Sequence, residues 1–215
     1  MTTSVLVTNT KGGCGKTTIA TNLASAFASA GFVTGIADVD RQKSSLGWLA
    51  SRPASAPAIV GLDWRKSAGK PPGKLGRLVI DAPAGVRLAH VEDLLRSADV
   101  VVVPVLASVF DEQSTTRFLA KLERIKPIAK GKKGVLLVAN RQRLRQRAAQ
   151  RLLDGLGEMG LAPVASLADR ALYAELAASG LGLFDIAPSR AAAGRADWLP
   201  LLRAIEQATS EATPG

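Results

Sequence analysis

Two lysines flank a glycine-rich turn in the stretch Lys11-Gly-Gly-Cys-Gly-Lys-Thr-Thr18. Glycines let a loop turn several backbone N–H groups onto one anion, and a helix that starts where the loop ends adds the positive end of its dipole. The N–H groups of residues 13 to 17 are expected to face phosphate oxygens. Lys16 would reach the β- and γ-phosphates of a nucleotide, and the Thr17 hydroxyl would ligate Mg²⁺. Gly12, Gly13, Cys14, Gly15 and Thr18 complete the expected cradle. Counted back from Gly15-Lys16-Thr17, the first position of Gly-x-x-x-x-Gly-Lys-[Ser/Thr] falls on Thr10, so the loop is a variant of that motif. Lys11, at the mouth of the loop, is a second cation that a simple nucleotide binder does not need.

Three acids complete the chemistry. Asp81 ends an apolar run in Leu78-Val-Ile-Asp-Ala-Pro-Ala-Gly85 and is expected at the metal, through a bound water. Asp38 and Asp40, in Ile36-Ala-Asp-Val-Asp-Arg-Gln42, end another run. One of the two can sit by the metal, and Asp40 can orient or deprotonate an attacking water. Aspartates also cap turns and helices, but three of them near one phosphate loop favour the chemical reading.

These residues need a frame that brings strand ends together. Apolar, β-branched runs predict strands at Val5–Thr8, Val33–Ala37, Leu78–Ile80, Val100–Val105, Val135–Ala139 and Val164–Leu167. Helical spacing covers Thr17–Ala30, Ser44–Ser51, Leu88–Arg96, Asp111–Lys126, Leu144–Met159, Ala171–Ala178 and Trp198–Thr209. The Pro-, Gly-, Ser- and Lys-rich segment Arg52–Lys74 reads as mostly irregular. Continuous apolar strands alternating with helices predict an α/β protein, a mostly parallel twisted sheet with helices on both faces. The phosphate loop would then lie at its carboxyl edge. With 215 residues, 47% of them hydrophobic, the chain suits a single domain spanning residues 1–215. One cysteine excludes an internal disulfide framework. The start of the chain lacks a basic, cleavable leader and no apolar run is long enough for a membrane helix, so a cytoplasmic protein is expected.

The ordered set Lys11–Thr18, Asp38-Val-Asp-Arg-Gln42, Leu78–Gly85, Val101-Val-Val-Pro-Val105 and Val138-Ala-Asn-Arg141 resembles the ParA/MinD family of deviant-Walker-A P-loop ATPases. The similarity extends over almost the whole chain and is strongest to the short, ParF-like partition proteins without a helix-turn-helix domain. The resemblance implies ATP and Mg²⁺ as cofactors and slow, partner-stimulated hydrolysis. It also implies a homodimer in the ATP state, in which Lys16 acts in cis and Lys11 reaches the phosphates held by the other subunit. It places Asn140, with Arg141, at the adenine, and makes Asp38–Gln42 and Asp81–Gly85 the two switch segments. It further implies ATP-dependent, nonspecific binding to the DNA of the nucleoid, in the service of positioning a plasmid, a chromosome region or a protein cluster. Arg41 stands where the family usually has proline, which predicts a less rigid first switch.

Charge agrees with a polyanionic partner: 28 Lys and Arg against 18 Asp and Glu give +10. Arg143, Arg147 and Arg151 recur four residues apart on the expected helix over Leu144–Met159 and form one stripe. Arg170 and Arg195, and the loop Lys126–Lys133, add further candidates for phosphate contact. With only 4% aromatic residues, base stacking has little to work with, which favours the duplex backbone. The alternatives are a MinD-like regulator or a metabolic P-loop ATPase acting on a protein or small molecule without DNA. The polar ending Ile205-Glu-Gln-Ala-Thr-Ser-Glu-Ala-Thr-Pro-Gly215 argues against membrane binding by an amphipathic helix. A single cysteine argues against an iron–sulfur reductase.

Overall fold

The computed structural model describes residues 2–85, 88–106, 109–142, 154–158 and 160–211. The strands are β1 (Thr3–Val7), β2 (Thr34–Asp38), β3 (Ile59–Asp63), β4 (Arg77–Asp81), β5 (Val100–Leu106), β6 (Gly134–Gln142) and β7 (Ala165–Ala168). The helices are α1 (Lys16–Ser29), α2 (Ser44–Ala50), α3 (Leu88–Arg96), α4 (Val109–Glu123), α5 (Lys126–Ala129), α6 (Ala171–Ala178) and α7 (Pro188–Glu211). Residues 154–158 are also helical. The expected arginine stripe Arg143, Arg147 and Arg151 lies outside the described residues.

All seven strands are parallel and lie in the order β3-β2-β4-β1-β5-β6-β7. Residues alternate between the two faces, as a pleated strand requires. Leu6, Leu78, Ile80, Val101, Val103 and Leu137 join the core beneath α3 and α4, where they meet Leu94, Leu95, Phe118 and Leu122. Val5, Val7, Ile36, Val79, Val100 and Val102 face the other way, against Ile19, Leu23 and Phe27 of α1 and Trp198, Leu201 and Ile205 of α7. Both faces are covered, so the strands are apolar almost throughout.

Helix α1 is buried over nearly its whole length, because Ala20, Ala24, Ala26 and Ala28 let it approach the sheet and its neighbours closely. It ends in a Schellman motif: Gly31, at φ +88, takes the left-handed position, and the Phe32 N–H reaches back to the Phe27 carbonyl at 3.1 Å.

The segment expected to be irregular contains strand β3, which pairs with β2 from Thr34↔Ile59 to Asp38↔Asp63. This edge strand is half exposed, and its apolar run Ile59–Leu62 contains Gly61 and sits among Pro, Gly, Ser and Lys residues that read as loop. The last helix begins ten residues earlier than expected, with Pro188 at its start, and continues through the exposed Pro200. Strand β6 continues past Ala139 and carries Asn140 within it, across a register shift against β7.

A buried ion pair ties the end of α2 to the turn before α7. The Arg52 guanidinium grips both oxygens of Asp185, at 2.8 and 2.7 Å, and its side chain and that of Asp185 are 4% and 0% exposed. Ser25 Oγ and the Gly182 N–H also donate to Asp185 Oδ2, each at 2.8 Å. Burial pushes the Asp185 carboxyl up, but the Arg52, Gly182 and Ser25 donors outweigh it and hold the carboxyl below its ordinary value. A depressed pKa contributes stability above the unfolded carboxylate value, and that contribution is lost as pH falls through the folded one. Arg52→Ala strands a buried carboxylate and is expected to cost about 3–5 kcal/mol, read as a lowered denaturant midpoint at neutral pH. Because the stranded carboxyl then favours protonation, the deficit should shrink as the pH is lowered.

Candidate functional site

Strand ends converge on the phosphate loop. Val7, Asp81 and Asp38 stand level on the adjacent strands β1, β4 and β2, so the loop after β1 opens beside both carboxylates. Asn9 anchors the loop at its start. Its Nδ2 donates to the Pro104 carbonyl at 2.8 Å, and its Oδ1 accepts from the Lys11 N–H at 3.0 Å. The Lys11 carbonyl in turn accepts from Lys16 Nζ at 2.9 Å and from the Cys14 thiol at 3.3 Å. The backbone of Lys11 is thus clamped from both sides, which fixes the root of its side chain.

Gly15 begins α1 at φ +89. An added Cβ there would lie 2.2 Å from Asn140 Nδ2, which donates to the Cys14 carbonyl at 2.8 Å. Both the backbone angle and the space demand glycine at this position. Asn140 therefore braces the loop from β6. Burial pushes the Cys14 thiol up, against the pull of the Lys16 ammonium, so this cysteine stays neutral and acts as a small packed residue.

The acids divide their work. Asp38 Oδ1 accepts from the Asp40 N–H at 2.9 Å, while Oδ2 accepts from the Ser45 N–H (3.0 Å), the Ser45 hydroxyl (2.8 Å) and the Leu46 N–H (3.1 Å). Asp38 thereby ties the turn after β2 to the start of α2 and satisfies orphan donors of that helix. Asp40 lies next to it, and its Oδ1 accepts from the Gln42 N–H at 3.0 Å in a tight turn. Arg41 is exposed within that turn.

Asp81 is different: it is 1% exposed, and among the described residues neither of its oxygens has a hydrogen-bond partner. Burial raises its pKa to about 7, with the Asp38 carboxylate adding to the rise and the Thr17 hydroxyl and Lys16 opposing it. An orphaned buried carboxylate facing a hydroxyl and a second carboxylate fits a hydrated divalent cation.

Two adjoining clefts complete the site. One, of about 320 Å³, is lined by the loop residues Gly12, Gly13, Gly15, Lys16, Thr17 and Thr18 together with Asp40, Gln42, Ser44, Ala82, Ala84 and Arg141. The other, of about 430 Å³, is lined by Thr18, Asn140, Arg141, Asp169, Arg170 and Tyr173, with alanines between them. Thr18 and Arg141 border both clefts. Arg141 is one of two non-glycine residues among those described with positive φ, at +51. That strained angle falls at the register shift of β6.

The structure brings together Lys11, Gly12, Gly13, Cys14, Gly15, Lys16, Thr17, Thr18, Asp38, Asp40, Asp81, Asn140 and Arg141. Arg170 lies in the wall of the larger cleft and pairs with Asp197 at 2.9 Å. Arg195 directs its guanidinium to the carbonyls of Leu183 (3.0 Å), Phe184 (3.2 Å) and Ile186 (2.6 Å), holding the turn before α7. Both arginines are partly exposed, with their guanidinium groups engaged by these partners. Asn9 and Ser45 escaped the sequence reading, because their partners lie on other strands and loops and no motif marks them.

A seven-stranded parallel sheet carrying a phosphate loop and acids at its carboxyl edge defines a P-loop nucleotide-binding protein. The CobQ/CobB/MinD/ParA nucleotide-binding domain matches residues 5–183, and the chain belongs to that family. It is 30% identical over 192 residues to the maintenance of carboxysome distribution protein A of Halothiobacillus neapolitanus, over 85% of this chain and 87% of that one. Among solved structures, a plasmid partition protein of Borrelia burgdorferi bound to AMPPNP has a TM-score of 0.74 at 15% identity, over 95% of this chain and 100% of that one. A Cyanothece McdA–ATP complex has a TM-score of 0.73 at 16% identity, over 97% and 96%. MinD of Pyrococcus horikoshii with Mg-ADP has 0.67 at 19% identity, over the full length of both. These structural likenesses establish the shared ParA/MinD fold. Among the described residues no helix is long and apolar enough to cross a membrane.

Proposed function

We propose that this chain is a ParA-type ATPase that dimerises on ATP, binds duplex DNA without sequence preference, and uses hydrolysis to position a cargo. The observation that carries the reading is the pair of lysines on one loop, Lys16 turned into the loop and Lys11 at its mouth with a clamped backbone. In this reading the N–H groups of residues 13 to 17 and Lys16 hold the phosphates in cis. Asn140 and Arg141 hold the nucleoside. Lys11 acts on the phosphates of the second copy, so that hydrolysis depends on pairing. Asp40 orients the attacking water. Thr17 and Asp81 are the residues suited to hold Mg²⁺, with Asp38 behind them; when bound, the ion neutralises charge on the phosphates. The 30% identity to a carboxysome-distribution protein supports a protein assembly as the cargo, with a second protein stimulating turnover.

The described structure supports a DNA-facing surface at the amino edge of the sheet, where Arg117, Lys121, Arg124, Lys126, Lys130 and Lys132 are exposed along α4, α5 and the loop before β6. Binding to random-sequence duplex should be tight with ATP, weak with ADP or without nucleotide, and linear in log affinity against log salt. The double variant Lys130→Ala/Lys132→Ala is expected to flatten that slope by about 2. Hydrolysis with no DNA binding in any nucleotide state would sink the DNA half of the proposal and leave the nucleotide half standing.

A further inference from the structure

The last long helix reaches the larger cleft through two consecutive residues. Asp197 accepts from Arg170 Nη2 at 2.9 Å and from the Ala168 N–H at 3.4 Å, and Arg170 and Ala168 both line the cleft. Trp198, fully buried, donates its indole N–H to the Tyr173 hydroxyl at 2.9 Å, and Tyr173 lines the same cleft. The Tyr173 and Trp198 rings are 6.5 Å apart and tilted by 56°. Phe184 meets Trp198 edge to face at 6.4 Å and 87°. Ala193, one turn earlier on α7, also accepts from Arg170 Nη2 at 3.4 Å, while Leu201 and Ile205 serve the core and Glu206 pairs with Arg77.

We infer that Asp197 and Trp198 are positioning residues that set the affinity of the larger cleft for the base of the nucleotide. The inference rests on the reading that this cleft takes the nucleoside while the smaller one takes phosphates. Its physical basis is preorganisation. A cleft wall made of one long arginine and one tyrosine on a short helix has rotamer freedom, which a ligand would have to remove on binding. The carboxylate holds the Arg170 guanidinium through a charge-assisted bond, and the buried indole fixes the phenol. The same helix packs against β5, β6 and β7, so the wall stands on the rigid sheet rather than on a loop. The Tyr173 hydroxyl already accepts from Trp198, which leaves its own hydrogen for another acceptor.

The test separates base recognition from phosphate recognition. Affinities for ATP and for inorganic tripolyphosphate are measured on the full chain with Mg²⁺, and their ratio isolates the nucleoside contribution. Asp197→Asn is expected to lower that ratio roughly fivefold to tenfold, the size of one ordinary net hydrogen bond, since the amide keeps a neutral acceptor but loses the charge, with tripolyphosphate affinity unmoved and Asp197→Glu recovering part of the ratio. A merely structural role would change both affinities together. As an independent readout, a Trp48→Phe/Trp64→Phe background leaves Trp198 as the sole indole of the three in the chain. Its emission should change with ATP and ADP and stay constant with tripolyphosphate. A ratio unaltered in Asp197→Asn, together with constant Trp198 emission on ATP binding, would overturn the inference while a strong preference for ATP in the parent protein kept the cleft assignment. No preference for ATP over tripolyphosphate in the parent would overturn the cleft assignment and the inference with it.

Discussion

Lys11→Ala should still bind ATP, yet lose its ATP-dependent dimer and turn over about 10³-fold more slowly than the parent. That size is typical of removing a cation or donor aimed at developing charge in phosphoryl transfer. The Lys11 backbone makes three hydrogen bonds in the loop: the N–H to Asn9 Oδ1, and the carbonyl to Lys16 Nζ and the Cys14 thiol. Alanine keeps all three, so the loop should keep its shape and the cis phosphates their cradle. Lys16→Ala, by contrast, removes the ammonium inside the loop and should abolish ATP affinity itself. Equilibrium ATP binding, mass measurement with and without ATP, and steady-state hydrolysis together read the two variants. A Lys11→Ala protein that dimerises and hydrolyses at the parental rate would remove the trans role.

The frame of the protein was legible because buried parallel strands demand what their sequences display. Val100 to Val105 and Leu78 to Ile80 are apolar without alternation, since helices cover both faces. Strand β3 was hidden for the opposite reason. It is an edge, its burial comes from β2 and from Leu46 and Leu49 crowding Gly61, and none of that is written in Arg52–Lys74. The early start of α7 was equally obscure: the expected helix opened at Trp198, two residues before Pro200, whereas the helix carries Pro200 in its interior at an exposed position.

The chemistry was legible where it is local in sequence. The loop from Lys11 to Thr18 announces itself by spacing, and Asp38, Asp40 and Asp81 by their place at strand ends. What the spacing could not convey is the division of labour among the acids. Asp38 has its oxygens engaged by the turn after β2 and by α2, and only the fold shows that Asp81 keeps two without partners among the described residues. Asn9 finds its partner Pro104 at a separation of 95 residues and Asn140 meets Cys14 across 126. Such bonds depend on topology, and residues of these types are common in turns.

The unpartnered Asp81 leads to the other large effect. Asp81→Asn is expected to abolish Mg²⁺-dependent turnover while making the nucleotide-free protein more stable by about 1–3 kcal/mol at pH 8. The sign follows from its pKa of about 7, raised from the ordinary 3.8. Above pH 7 the folded chain must hold a buried charge that the unfolded chain exposes to water, so ionisation opposes folding. Well below pH 3.8 both states are protonated and the advantage of the variant should vanish. Adding Mg²⁺ with ADP should reverse the order, since only the parent gains the cation contact. Denaturant unfolding at pH 8, with and without Mg-ADP, decides the matter. If Asp81→Asn is the less stable protein in the absence of nucleotide, its carboxylate is a structural group with partners after all. If it is the more stable one, the fold carries a destabilised acid at the one point where a cation can relieve it, which is how a site kept for chemistry differs from one kept for packing.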